Sequence, residues 1–227
     1  MSKQEKTKVL FSWSGGKDSA LALHKILEED EYEIVSLITT ITEGYNRISM
    51  HGISADLLEE QAKSIGISLF KIEIPENCSN EDYEIIMVRT LTHFQEQGIS
   101  SVVFGDLYLE DVKNYRISQL SRVGMQAIFP LWGINTSEIT NEFIKKGFQS
   151  IICCIDTRAI DPKFSGRIYD QSFINDLPTA CDPCGENGEF HSFVFDGPIF
   201  SKKIEIKTGV KLLRDDYFFF TEILQKQ

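Results

Sequence analysis

Apolar positions along this chain recur with two alternating periods. Lys8–Trp13 is a short apolar run that reads as a buried strand. From Asp18 to Glu28, Leu21, Ala22, Ile26 and the Lys25 stem fall on one helical stripe. Glu33–Thr40 is β-branched and strand-like. Ala55–Ile65 has helical spacing and stops at Gly66, and Leu69–Ile74 alternates until Pro75. Asn80–Gln97 predicts a long helix, with Asn80 as its N-cap and Gly98 just past its end. Ser101–Phe104 reads as a strand ending in Gly105-Asp106, Asp111–Val123 as a helix and Gln126–Phe129 as a strand.

Strand–helix alternation of this kind predicts a parallel sheet covered on both faces. Ligands of such sheets sit beyond the carboxyl ends of the strands. That places Ser14–Ser19, Thr40–Arg47, Gly105–Asp111 and Pro130–Gly133 along one rim. The pattern then changes. Thr136–Lys146 and Gln171–Asp176 read as helices, and Gln149–Ile155, Phe190–Asp196, Lys203–Leu213 and Tyr217–Leu224 as strands. The expected fold is an α/β parallel-sheet domain over residues 1–133, followed by a smaller α+β domain over residues 134–227 that closes over the rim.

The 227 residues, 42% hydrophobic and 25% charged, have the balance of a soluble globular protein. No apolar run approaches the roughly 18 residues of a membrane span, and the polar amino end does not read as a signal peptide. A cytoplasmic protein with no membrane partner is expected. Five cysteines, Cys78, Cys153, Cys154, Cys181 and Cys184, then read as reduced thiols. A net charge of −11 argues against a nucleic-acid backbone as partner.

The first strand runs into Ser14-Gly15-Gly16-Lys17-Asp18-Ser19 and then a helix. Two glycines permit positive φ and close backbone approach. A helix N-terminus presents unpaired N–H groups and the positive end of a dipole, which together suit an anion. Ser14 and Ser19 add hydroxyls, Lys17 adds a point charge, and Asp18 suits orienting the loop or holding Mg2+. The spacing is neither the Walker A P-loop nor the dinucleotide fingerprint. SGGKDS instead resembles the PP-loop of the N-type ATP pyrophosphatases. The resemblance implies a HUP-like fold, cleavage of ATP between the α- and β-phosphates, and an adenylate formed on the substrate. It implies that Ser14–Ser19 holds the pyrophosphate end and that Leu37–Thr39 lies near adenine. Ser12, Leu37, Thr39, Gly105 and Asp106 join Ser14–Ser19 as the candidate nucleotide site, and Asp106, at a strand end, suits Mg2+ or a ribose hydroxyl.

Three further stretches, Phe104–Arg116, Phe129–Gly133 and Asp182–Phe200, together with Met50–Ile53, resemble the diphthine–ammonia ligase family in its bacterial branch. In that family the carboxylate of diphthine, a modified histidine on a translation elongation factor, is adenylated, and ammonia displaces AMP. The resemblance thus implies a carboxylate acceptor and ammonia as partners, with a different acceptor open for a bacterial-type chain. Where archaeal relatives carry Glu-Gly-Gly-Glu, this chain has Glu186-Asn187-Gly188-Glu189, so both acids remain and Asn187 adds an amide.

The candidate catalytic set is Lys17, Asp18, Glu186, Glu189 and His191. The two glutamates suit a cationic acceptor group, ammonia or a metal, and His191 suits general-base work. Candidate acceptor contacts are Arg47, His51, Glu110, Tyr115, Arg116, Trp132, Cys184 and Asn187. Phe190, Phe193 and Trp132 suit either a cation-binding face or core packing. His24 and His93 lie on helices and read as surface or satisfied residues. Cys181-Asp-Pro-Cys184 reads first as structural, with metal and redox roles open. Two competing readings stand beside the ligase: a tRNA-thiolation enzyme using those cysteines, and an ATP or AMP sensor without turnover. The oligomeric state is open, with a homodimer as one option.

Overall fold

A computed structural model describes residues 6–44 and 52–226. The first half alternates strand and helix: β1 (Thr7–Ser12), α1 (Lys17–Glu28), β2 (Tyr32–Thr42), α2 (Ala55–Ile65), β3 (Leu69–Ile74), α3 (Asn80–Gln95), β4 (Ser101–Val103), α4 (Glu110–Ser121) and β5 (Gln126–Ile128). Its five strands form a wholly parallel sheet in the order β3-β2-β1-β4-β5. The order reverses at β1, so the crevice beyond β1 and β4 is the switch point where such sheets take ligands.

The pleat sorts the core. Leu10, Ile38, Ile72 and Val102 pack with Leu91 and Phe94 of α3 and Leu120 of α4. Val9, Phe11, Leu37 and Val103 point the other way, towards Leu21 of α1 and Leu58 of α2.

The second half contains α5 (Thr136–Lys145), β6 (Gln149–Asp156), a 3₁₀ turn at Pro162–Phe164, α6 (Gln171–Asp176), β7 (Phe190–Asp196), β8 (Ile206–Arg214) and β9 (Phe218–Gln225). Its four strands form an antiparallel sheet ordered β7-β6-β9-β8. Ile139, Phe143, Ile152, Phe193 and Val194 belong to the same core cluster as Val9, Phe11 and Trp13. The two sheets therefore share buried apolar contacts.

Element ends follow local chemistry. Ser54 caps the Leu57 N–H of α2, and Gly66 closes that helix at φ 84°. Several boundaries depart from expectation, three of them for evident reasons. The cap of α3 is Ser79, whose Oγ accepts from Asp82 N at 3.0 Å, so Asn80 is already inside the helix. The helix also stops at Gln95, because the N–H groups of Gln97 and Gly98 tighten onto Phe94 and Gln95. β8 starts at Ile206 rather than Lys203. The intervening Ile204 is buried, but its N–H bonds Phe195 O outside the ladder.

Candidate active site

Ser14–Ser19 lies at the switch point and is built from three directions. Gly15 has φ +75°, and a Cβ there would stand 2.7 Å from Leu58 and 2.8 Å from Gln61. Only glycine fits both the backbone and the space. A Cβ on Gly105 would stand 2.9 Å from Ser19 N and 3.0 Å from the Asp18 carbonyl carbon, so the end of β4 abuts the start of α1. β7 approaches from the far side. Val194 N donates to Gly15 O at 2.9 Å, and Lys17 N donates to Ser192 Oγ at 3.2 Å. Within the loop, Ser14 Oγ bonds Ser19 Oγ at 2.9 Å and accepts from Gly16 N at 3.3 Å. Hydroxyls of Ser14 and Ser192 thus hold two of the amide donors that the sequence assigns to an anion.

The Lys17 ammonium also takes a direction that its position in the chain does not reveal. It is buried, donates to Asp18 Oδ2 at 2.6 Å, and lies 5.9 Å from the Tyr169 ring and 5.6 Å from the Phe190 ring. Burial pulls its proton affinity down, but Asp18, Cys184 and Glu186 together leave it above the ordinary lysine value. Burial pushes Asp18 up, against the pull of Lys17. Asp18 Oδ1 is buried and accepts no hydrogen bond. That orphaned oxygen fits a divalent cation.

Residues 181–189 form a carboxylate-organised loop beside this pair. Asp182 Oδ1 accepts from Cys184 N at 2.8 Å and Glu186 N at 3.3 Å, while its Oδ2 accepts from Thr136 Oγ1 at 2.7 Å. Glu189 is buried, and its two oxygens accept from Asp182 N, Asn187 N and Asn187 Nδ2 at 2.9–3.0 Å. The Asn187 amide is held in turn, since its Oδ1 accepts from Tyr108 OH at 3.3 Å. Glu186 is half-buried, and burial followed by the charge of Asp18 raises it to about 7, with Asp106 and Asp182 adding to the effect. Lys17 opposes that shift. The two glutamates therefore differ: Glu189 ties the loop, and Glu186 faces the Lys17–Asp18 pair.

Asp106 does not stand open. Arg116 Nε donates to its Oδ2 at 2.7 Å, and the guanidinium lies 4.5 Å from the Phe104 ring. Phe104 stacks on Phe129, which touches Trp132. Lys113 Nζ sits 3.9 Å above the Trp132 ring, so Trp132 does present a cation-binding face, filled by the chain's own lysine. Phe193 belongs to the core at 0% exposure, in line with the core-packing reading of that residue.

The remaining candidates are spread more widely. Ser12 ends β1, and Leu37 and Thr39 are buried on β2. Glu110 is exposed in the first turn of α4. Tyr115, also exposed, has Glu84, Arg116 and Arg122 as its charged neighbours. His191 lies on β7 opposite Cys154 of β6, and its carbonyl accepts from Cys153 Sγ at 3.4 Å. Arg47 and His51 fall outside the described residues. His93 is exposed beside Gln97, and His24 sits near Glu28 and the Phe148 ring. Cys184 is buried with its thiol at Thr136 O and Thr140, and burial pushes both it and Cys181 up to about 12. Among the described residues no three His, Cys, Asp or Glu side chains are grouped to hold a metal.

Two loop-holding residues escape sequence reasoning. Ser192 is 175 positions from Lys17, and nothing local marks it. Gln61 left a signal: a polar side chain on the apolar stripe of α2, fully buried between Leu58 and Ala62.

Comparison with known proteins gives one family. Residues 6–127 match the diphthamide synthase N-terminal domain, and residues 135–224 match the diphthamide synthase C-terminal domain. A diphthine–ammonia ligase of Homo sapiens is 24% identical, covering 74% of this chain and 65% of its own length. One of Rattus norvegicus is 24% identical, covering 86% and 81%. One of Schizosaccharomyces pombe is 24% identical, covering 87% of this chain and 36% of its own length. This chain thus spans about two thirds of the human relative and about a third of the yeast one. Among solved structures, a U34-tRNA thiolase from Methanococcus maripaludis is 19% identical with a TM-score of 0.38, over 63% of this chain and 57% of its own.

Proposed function

The chain belongs to the diphthamide synthase family, and from that premise we propose that it is an ATP-dependent, AMP-forming ligase that adenylates a carboxylate and amidates it with ammonia. One observation carries the reading. The Gly15–Gly16 loop at the sheet's switch point packs against Ser192 of β7, and Lys17 and Asp18 that follow it are in electrostatic contact with Glu186 of the Asp182–Glu189 loop. A site for a triphosphate tail thus adjoins a site able to manage protons.

The chemistry follows in two displacements. An acceptor carboxylate oxygen attacks the α-phosphorus, and the bond to the β-phosphate bridging oxygen breaks, releasing pyrophosphate. Adenylation turns an unreactive carboxylate oxygen into part of a good leaving group. Ammonia then adds to the acyl carbon, AMP leaves with the bonding electron pair, and a proton is lost from nitrogen. In this reading the loop amides and the start of α1 face charge developing on pyrophosphate. They do so once the incoming oxygens displace the Ser14 and Ser192 hydroxyls. Lys17 neutralises Asp18 and Glu186 between turnovers. A magnesium ion at the unpaired Asp18 oxygen would offset phosphate charge. In this reading Glu186, raised to about 7, takes the proton from the attacking nitrogen. Glu189 and Asp182 hold that loop in shape, and Arg116 with Trp132 lines the acceptor side.

The reading includes an acceptor of diphthine type or another carboxylate, an elongation factor where the acceptor is diphthine, and a cytoplasmic setting. No described helix is long and apolar enough to cross a membrane. The thiols at Cys181 and Cys184, both pushed up to about 12, weigh against a thiolate-based transfer to tRNA. The test is to incubate the protein with radiolabelled ATP, ammonium and a panel of carboxylates including diphthine-bearing elongation factor. Acceptor-dependent AMP and pyrophosphate are expected in equal amounts. Label recovered as ADP, or ATP bound without turnover across the panel, contradicts the ligase and favours a phosphohydrolase or a sensor respectively.

A further inference from the structure

Gln61 has every polar atom of its side chain engaged with a buried partner. Its Oε1 accepts from Trp13 Nε1 at 2.9 Å, and its Nε2 donates to Gly15 O at 3.0 Å and to Val194 O at 2.6 Å. The amide orientation is unambiguous, because an indole N–H only donates and peptide carbonyls only accept. The residue is 0% exposed. Two stretches far apart in sequence therefore meet on one carboxamide of α2: the end of β1 with the glycine loop that follows it, and β7.

The consequence concerns a single peptide plane. Gly15 O is held from two sides, by Gln61 Nε2 and by Val194 N. In a trans peptide the carbonyl and the following N–H point in opposite directions. Fixing Gly15 O therefore fixes Gly16 N–H, which turns to the Ser14 hydroxyl inside the loop. Glycine at φ +75° has little intrinsic preference for that orientation, so without such a clamp the plane is free to rotate.

We propose that Gln61 is a positioning residue for the nucleotide loop: its carboxamide locks the Gly15–Gly16 peptide plane so that the Gly16 N–H is presented to the phosphate chain, and through Val194 it ties that geometry to the C-terminal sheet. This rests on the nucleotide reading given above. A residue that merely fills space would be replaced without loss by an apolar isostere; a clamp would not be.

The test is ATP titration by calorimetry on the full chain, with near-ultraviolet circular dichroism as the fold check. Gln61→Met keeps the shape and removes both donors, so ATP affinity is expected to fall by about tenfold or more at every pH. Gln61→Glu provides a readout that packing alone does not move. Ionised, it donates nothing and faces two carbonyl oxygens; protonated, it donates once. Its affinity deficit relative to wild type is expected to shrink severalfold between about pH 8.5 and about pH 6. A folded Gln61→Met protein within about twofold of wild type overturns the role of Gln61. So does a Gln61→Glu deficit that ignores pH, which remains measurable if Gln61→Met fails to fold. Wild type that takes up no ATP overturns the nucleotide reading, and this inference with it.

Discussion

At the scale of single residues, the site is governed by one buried cation among several acids. Lys17 and Asp18 form a pair that survives burial because each offsets the other's lost hydration. Removing one partner leaves the other uncompensated. Lys17→Met is therefore expected to cost about 3 kcal/mol of stability by urea denaturation, and a Lys17→Met/Asp18→Asn double variant to recover most of it. Neither is expected to release pyrophosphate from ATP. A double variant as unstable as the single would show that the pair is not coupled. Glu186 gives a second prediction with a defined sign. Its folded pKa of about 7 lies above its ordinary value, so the folded state holds this proton more tightly than the unfolded chain does. The stability this contributes is full at low pH and is lost as pH rises through the window ending near 7. Glu186→Gln should accordingly be the more stable protein at pH 8, seen as a raised Tm, and the two should converge towards pH 5. Ammonia-dependent release of AMP from the adenylate should rise through pH 7 in wild type and lose that inflection in Glu186→Gln. That charges gather at Ser14–Ser19 and Glu186–Glu189 was legible in the chain. Which way Lys17 points, and that Glu189 is spent on Asn187 and Asp182, was not, because both depend on partners brought close only by folding.

At the scale of elements, sequence reading succeeded where an end is fixed by its own residues. α2 runs from Ala55 to Ile65 as its spacing predicts, since Ser54 and Gly66 are local signals that act locally. It slipped where neighbours compete. Ser79 outcompetes Asn80 as cap because its hydroxyl reaches both the N–H and the carboxylate of Asp82. The contrast between two glycines makes this testable. Gly66 caps α2 in open space, with nothing within 4 Å of a Cβ. Gly105 meets the backbone of Ser19 and Asp18 at 2.9–3.0 Å. Gly66→Ala should cost about 1 kcal/mol through its positive φ and leave ATP affinity unchanged. Gly105→Ala should instead lever β4 away from the start of α1, costing about 1–3 kcal/mol and lowering ATP affinity about tenfold in calorimetric titration. Equal effects of the two on nucleotide binding would remove the argument that β4 shapes the loop.

At the scale of the whole molecule, the change from strand–helix alternation to a strand-rich tail foretold a parallel-sheet unit followed by a smaller α+β one, and the strands of the latter form an antiparallel sheet. The pattern carried no sign of how closely they join, because the bonds that join them link residues far apart in the chain. Val194 reaches Gly15, Ser192 reaches Lys17, and Ser64 on α2 donates to Lys202 O at 2.5 Å. Ile152, Phe193 and Val194 pack into the same apolar cluster as Phe11, Trp13 and Leu21. A division at residues 133 and 134 would expose that shared surface on both sides, and neither sheet would keep the nucleotide loop in shape alone. Interfaces that are apolar and continuous with a core unfold together with it, whereas polar, hydrated ones let domains melt separately. Urea unfolding should therefore be a single transition, with the signal of aromatic packing and that of secondary structure lost at the same midpoint. Amide hydrogens of β1 and β7 should exchange with the same free energy of opening, and ATP should slow both sets together. If β7 opened well below β1, and ATP protected β1 alone, the antiparallel sheet would be a separable cover, and the clamp through Gln61 and Ser192 could not hold the loop in the way its bond lengths imply.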